Sequence, residues 1–134
     1  MATVADFHTG QFMIDVAAAV IIENGKVFLA SRPADKPPAG WEFPGGKIEP
    51  GESAFEALKR ELLEELNWQI EPLETLYVLK RDNLTISFIS ARRIPGSEPS
   101  ACENQSFRWV ELTPQAPADI LENDIEFWHF LIKK

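Results

Sequence analysis

Cysteine, histidine and basic charge are scarce in this chain, and each shortage closes off a class of function. Cys102 is the single cysteine in 134 residues, so no intramolecular disulfide can form. Lys and Arg number 13 against 21 Asp and Glu, a net charge of −8. Coating a nucleic-acid polymer needs clustered Lys and Arg, so no nucleic-acid partner is expected. Of the two histidines, His8 lies in an unpatterned terminus and His129 has no Cys or Ser nearby in sequence, so neither is a catalytic candidate. A long apolar run is also missing. Residues 16–22 are apolar but too few to span a bilayer, and they follow Asp15 rather than a basic segment. Neither a transmembrane helix nor a signal peptide is expected, which leaves no membrane partner and a cytoplasmic location by default. The sequence carries no internal repeat, domain linker or low-complexity segment, and nothing in it bears on oligomeric state.

What is present describes one soluble domain over residues 1–134, with 45% hydrophobic and 25% charged residues. Residues 1–12 lack periodicity and are expected to form a loose terminus. The apolar runs 14–23 and 26–31 flank Asn24-Gly25, a strong hairpin signal. Three prolines make 33–40 a loop, and the extended piece Trp41-Glu42-Phe43 should end in a turn at Pro44-Gly45-Gly46. Runs 76–80 and 84–91 suggest a second hairpin, residues 95–103 a polar loop, and 107–112 a further strand. Thr113-Pro114 could open a helical turn. Leu121, Ile125, Trp128 and Ile132 recur at helical spacing and predict a terminal helix. The pattern is that of a mixed α/β domain.

The segment 46–67 carries the chemistry. Ser53 and Glu56 form an S-x-x-E capping box, which starts a helix at Ala54. Phe55, Leu58, Leu62 and Leu66 share one stripe that can face a core, and Glu61, Glu64 and Glu65 share an adjoining face. Glu65 lies at the edge of the buried side. Like charges at this spacing destabilise a helix by ~0.2–0.5 kcal/mol per pair. A hard cation such as Mg²⁺, or Mn²⁺, would reverse that sign by taking oxygen ligands. The cluster reads as a metal site, and the alternative is an ordinary solvated acidic face.

Gly46, five residues, Glu52, seven residues, Arg60-Glu61-Leu62, one residue and Glu64-Glu65 together resemble the Nudix box of the Nudix hydrolases. The box expects glycine where this chain has Asn67, and then a bulky apolar residue, supplied by Trp68. Asn is the next-best residue for the left-handed conformation after a helix. The run from Trp41 to Glu49 resembles the segment leading into the box in the MutT-like branch of the family. The resemblance implies an α/β/α sandwich with a mixed β-sheet. It also implies Mg²⁺-dependent hydrolysis of a nucleoside triphosphate to the monophosphate and pyrophosphate. An oxidised purine such as 8-oxo-dGTP is the implied substrate, and CTP-type pyrimidines or a non-catalytic nucleotide-binding module are the alternatives.

By the same resemblance Glu61, Glu64 and Glu65 are metal ligands, joined by the Gly45 carbonyl. Glu52 and Arg60 form an ion pair that orients them, and Glu103 adds a metal contact or deprotonates the water. Arg32 and Lys47 would hold phosphates, and Phe43 would line the base pocket. A base-reading residue is expected at the start of the terminal helix. Asp124 is favoured there, with Asn123 as the alternative, because Asn123 and Glu126 make an N-x-x-E pattern that gives Asn123 work as an N-cap.

Overall fold

The computed structural model describes residues 3–6, 11–32, 39–102 and 105–133. In chain order the elements are β1 (Thr3–Asp6), β2 (Gln11–Val20), β3 (Ile22–Glu23), β4 (Lys26–Ser31), β5 (Trp41–Glu42), β6 (Gly45–Lys47) and α1 (Ala54–Leu66). They continue as β7 (Ile70–Arg81), β8 (Leu84–Arg93), β9 (Phe107–Glu111) and α2 (Glu122–Ile132). One sheet runs β1-β2-β8-β7, with β6 also on β2, and its β2–β8 pair is parallel while the rest are antiparallel. The other runs β3-β4-β5 with β9 on β4, all antiparallel. The expected mixed sheet in an α/β fold is what forms.

Burial explains the uninterrupted apolar run of β2. Ala17, Ala19 and Ile21 face a core shared with Leu58, Leu62 and Leu66 of α1 and with Trp68. Ala18 and Val20 face a second core with Phe127 and Trp128 of α2. A strand covered on both faces needs apolar residues at every position, not alternate ones. In β4 the same split sends Phe28 and Ala30 to the first core and Val27 and Leu29 to the second. The strands are thus sandwiched between two helices. Asn24 (φ 53°) and Gly25 (φ 75°) close the β3–β4 hairpin as expected.

Several expectations need correcting. Residues 3–6 of the supposed loose terminus form β1, which pairs Thr3 with Ile14 through Asp6 with Gln11. The pairing satisfies an edge of β2 that would otherwise expose unpaired backbone groups. β7 begins at Ile70, well before the predicted run. Pro72 and the exposed Glu71 and Glu74 disguise it in sequence, and two register shifts carry it along β8. Thr113-Pro114 opens no helix. The Thr113 carbonyl instead accepts the Trp128 indole N–H at 2.9 Å.

The terminal helix forms, but rotated from its predicted stripe. Asp124, Phe127, Trp128 and Leu131 are buried, whereas Ile125 is exposed. The Phe127 ring stacks on Phe88 at 4.1 Å and meets Phe43 edge-on at 5.1 Å, and this aromatic packing sets the rotation. Leu121, not Asn123, is the N-cap, without a side-chain cap bond. Glu126 does not close a capping box either, because Tyr77 and Arg81 of β7 hold its carboxylate.

Candidate functional site

The helix α1 is built as its sequence demands. Ser53 Oγ accepts from Glu56 N at 3.1 Å, and the Glu56 carboxylate accepts from Ser53 N at 2.8 Å. At the other end Asn67 is left-handed (φ 48°), and Trp68 N–H reaches back to the Leu62 carbonyl at 3.2 Å. Leu58, Leu62 and Leu66 are fully buried. With both ends capped and one stripe buried, the acidic face has a fixed rotation.

Gly45-Gly46 was expected to be a turn, yet it lies in β6, paired with Ala18 and Ala17 of β2. The glycines are there for proximity. A Cβ on Gly45 would fall 1.9 Å from the Ala17 carbonyl oxygen, and one on Gly46 would fall 2.3 Å from the Glu61 carboxylate. Only a bare backbone lets the helix face and this strand approach so closely.

Arg60 ties the cluster together. Its Nε and Nη2 donate to the two Glu52 oxygens at 2.7 and 3.0 Å, and Nη2 also donates to the Lys47 carbonyl at 3.0 Å. Nη1 donates to Glu61 at 2.8 Å and to Glu64 at 3.0 Å. The guanidinium holds Glu52 down at about 2, helped by the Glu49 backbone N–H. The Arg60 pKa is raised in return, mainly by Glu52. Glu65 is half-buried at the edge of the core, as its place on the wheel predicted. Its backbone carbonyl accepts from Cys102 N at 2.9 Å, so the loop before β9 lies along the end of α1. Glu103 follows Cys102 and lies outside the described residues.

The donor set suits a hard divalent cation. Glu61, Glu64 and Glu65 offer only carboxylate oxygen, and the space left by Gly46 cradles the Glu61 carboxylate. Among the described residues no three side chains converge as a finished cage. Mg²⁺ does not need one, because it is usually bound through one or two carboxylates with water and substrate phosphates completing the shell.

A second group of residues gathers where β4 and β5 meet the start of α2. Arg32, just past β4, lies 3.4 Å from Glu42 of β5. Glu42 was not singled out in sequence. Its partner across the ladder is Ala30, which puts it diagonal to Arg32, a relation visible only once the strands pair. Burial raises the Glu42 carboxyl above its usual value, and Arg32 opposes the shift. Asp124 is 6% exposed and accepts the Phe43 backbone N–H at 2.9 Å. Burial pushes its carboxyl up to about 7; the Phe43 N–H and Arg32 pull it down, and Glu42 adds to the rise. Asp124 is therefore the member of the Asn123-Asp124 pair turned inward, while Asn123 is half-buried one residue earlier. The Phe43 ring is core, 3% exposed between Phe88 and Phe127, so what it presents here is its N–H. Lys47 is half-buried on β6 beside the Arg60 fork.

Comparison with known proteins places this arrangement in a family. The NUDIX domain profile matches residues 13–130. The CTP pyrophosphohydrolase of Escherichia coli (strain K12) is 42% identical over 119 residues, 81% of this chain and 87% of that protein. The 8-oxo-dGTP diphosphatase of the same strain is 36% identical over 107 residues, 74% of this chain and 81% of that protein. In structure, MutT from Aliivibrio salmonicida and Vibrio cholerae aligns at a TM-score of 0.73 with 29% identity, covering 90% of this chain and 98% of that one. The E. coli ORF135 protein, solved in solution, aligns at 0.62 with 38% identity, covering 86% and 89%. A capped helix with its glutamates clamped by one arginine, the glycine strand beneath it and these matches have one reading: the chain belongs to the Nudix hydrolase family.

Proposed function

We propose that the protein is a cytoplasmic, Mg²⁺-dependent pyrophosphohydrolase that cleaves a nucleoside triphosphate to the monophosphate and pyrophosphate. The observation that carries this is the Arg60 fork, which holds Glu52 and the Lys47 carbonyl on one side and Glu61 and Glu64 on the other. Cleaving a phosphoric anhydride needs positioning and charge neutralisation more than covalent chemistry. Glu61, Glu64 and Glu65, with the Gly45 carbonyl and Glu103, would hold the cation, which supplies Lewis-acid neutralisation of the phosphates. Arg60 and Glu52 keep the carboxylates oriented. Arg32 and Lys47 bind phosphate oxygens, and Glu103 takes a proton from water.

Asp124 reads the base. Ionised, it only accepts, which suits the adjacent N1–H and N2–H₂ donors of a guanine-type base such as that of 8-oxo-dGTP. A second reading, CTP, is favoured by the identity to the CTP pyrophosphohydrolase. A protonated Asp124 offers one donor and one acceptor, which matches the N3 and N4–H₂ edge of cytosine. With Asp124 pushed up to about 7, both forms are accessible near neutrality. The test is a nucleotide panel with Mg²⁺, scored for pyrophosphate against phosphate release. Guanine-type turnover should gain on CTP turnover as pH rises through 7. Release of phosphate alone, or no turnover of any triphosphate, would overturn the assignment.

A further inference from the structure

Gln105 is buried where a loop residue has little reason to be. It is 8% exposed, and its side-chain oxygen is wholly enclosed without a hydrogen-bond partner. Native proteins leave few buried polar atoms unpaired, because each costs its lost hydration with nothing in return.

Its place in the fold says what could complete it. β9 pairs with β4 from Lys26 opposite Glu111 to Ala30 opposite Phe107. The ladder continues one step, with Ser31 N–H on the Ser106 carbonyl at 2.9 Å and Ser106 N–H on Ser31 Oγ at 2.8 Å. The next position sets Gln105 across from Arg32. On the other side of Arg32 stands Glu42, at 3.4 Å. Three residues before Gln105, Cys102 is tied to the Glu65 carbonyl of the box helix. Gln105 therefore falls in a row, Glu42–Arg32–Gln105, across the end of the sheet, three residues after the Cys102 bond to the acidic helix.

An amide oxygen only accepts, and so do phosphate oxygens, so its partner is not the phosphate that Arg32 would hold. The missing group is a donor. We propose that Gln105 is a further substrate-binding residue, whose side-chain oxygen accepts a hydrogen bond from an O–H brought in with the nucleotide. The O–H belongs either to the sugar or to a water that accompanies the phosphates. This inference rests on the triphosphate reading above.

The test compares Gln105→Met with wild type in steady-state kinetics and in thermal unfolding of the free protein. The substitution keeps the bulk and removes the amide, so KM should rise about three- to tenfold. The free protein should melt at the same temperature or higher, because an unpaired buried oxygen is gone. A 2′,3′-dideoxynucleotide then identifies the donor. If the sugar supplies it, wild type loses the same factor on this substrate and Gln105→Met loses nothing more. If water supplies it, the two losses multiply. KM and kcat equal to wild type would overturn the proposal. Should Gln105→Met not fold, the side-chain ¹⁵N–¹H pair of Gln105 in the wild type must shift on saturation with an α,β-methylene nucleotide, and an unmoved pair would overturn it too. A wild type that turns over no triphosphate defeats the family activity instead, which keeps the two failures apart.

Discussion

Glu52 and Asp124 are both carboxylates of the proposed site, yet their surroundings move them in opposite directions. Glu52 is gripped by a guanidinium at 2.7 and 3.0 Å and stays charged down to about 2. Asp124 has one backbone N–H at 2.9 Å and is 6% exposed, which pushes it up to about 7. A charge partner at the box end keeps Glu52 itself anionic and pinned to Arg60, whose other nitrogen holds Glu61 and Glu64. Burial with a single neutral donor makes the other end a group that changes from acceptor to donor near neutral pH. The two ends also differ in range. Arg60 meets its partners within 13 positions in sequence, whereas Phe43 and Asp124 are 81 apart.

The comparison breaks most completely at the box helix. Glu64→Gln should cut hydrolysis on the order of 10²–10³-fold, the scale of losing one electrostatic contact in a transition state. The fold should persist, because Glu64 is the most exposed of the Arg60 partners on α1 and surface pairs contribute little. Circular dichroism and turnover measured on one preparation check both halves. Turnover near the wild-type rate would remove this face from the chemistry.

A smaller loss is expected from Arg60→Lys, which keeps the charge but not the planar fork across Glu52 and the Lys47 carbonyl. Mutating groups that orient metal ligands typically costs about 10–100-fold. Here kcat should fall more than KM rises. A collapse of nucleotide affinity at unchanged kcat would make Arg60 a phosphate binder instead.

Asp124→Asn sharpens the base end. The preference between guanine-type and cytosine substrates should change by about tenfold, the scale of one hydrogen bond, and should lose its pH dependence. Stability carries a signature of its own. Because the folded pKa is raised, the native state binds the extra proton, so wild type loses stability as pH climbs from about 4 through about 7. Asp124→Asn should flatten that decline and melt higher than wild type at pH 8. A wild-type melting curve independent of pH from 5 to 8, matched by the variant, would refute the burial account.

The smallest effect is the mirror image. Glu52 has a depressed pKa, so its contribution is full above about 4.5 and is lost as pH falls toward about 2. Glu52→Gln should therefore narrow the stability gap between pH 6 and pH 3, read by thermal unfolding at the two values.

The box was legible because its signals are local. A helix cap, a 3.6-residue stripe and a carboxylate face are each set within one or two turns, and α1 starts at Ala54 and ends at Leu66 as the residues require. The hairpin at Asn24-Gly25 was legible for the same reason. The terminal helix shows the opposite case. Its existence was readable, but its rotation was not, since Ile125 and Phe127 are equally apolar on a wheel and only Phe43 and Phe88 decide which is buried. The double glycine looked like a turn because sequence shows flexibility and hides proximity. The strand opposite, at 1.9 Å from a Cβ that is not there, supplies the real reason.

Sequence alone determined the acidic helix face, its caps and the arginine that organises it, because those interactions lie between neighbours along one chain segment. Only the tertiary structure decided which residue of Asn123-Asp124 turns inward, that Glu42 stands beside Arg32, and that Gln105 is enclosed across from it. Each depends on strands and helices far apart in sequence being packed to a fixed register, and the desolvation that shifts Asp124 exists only once that packing is complete.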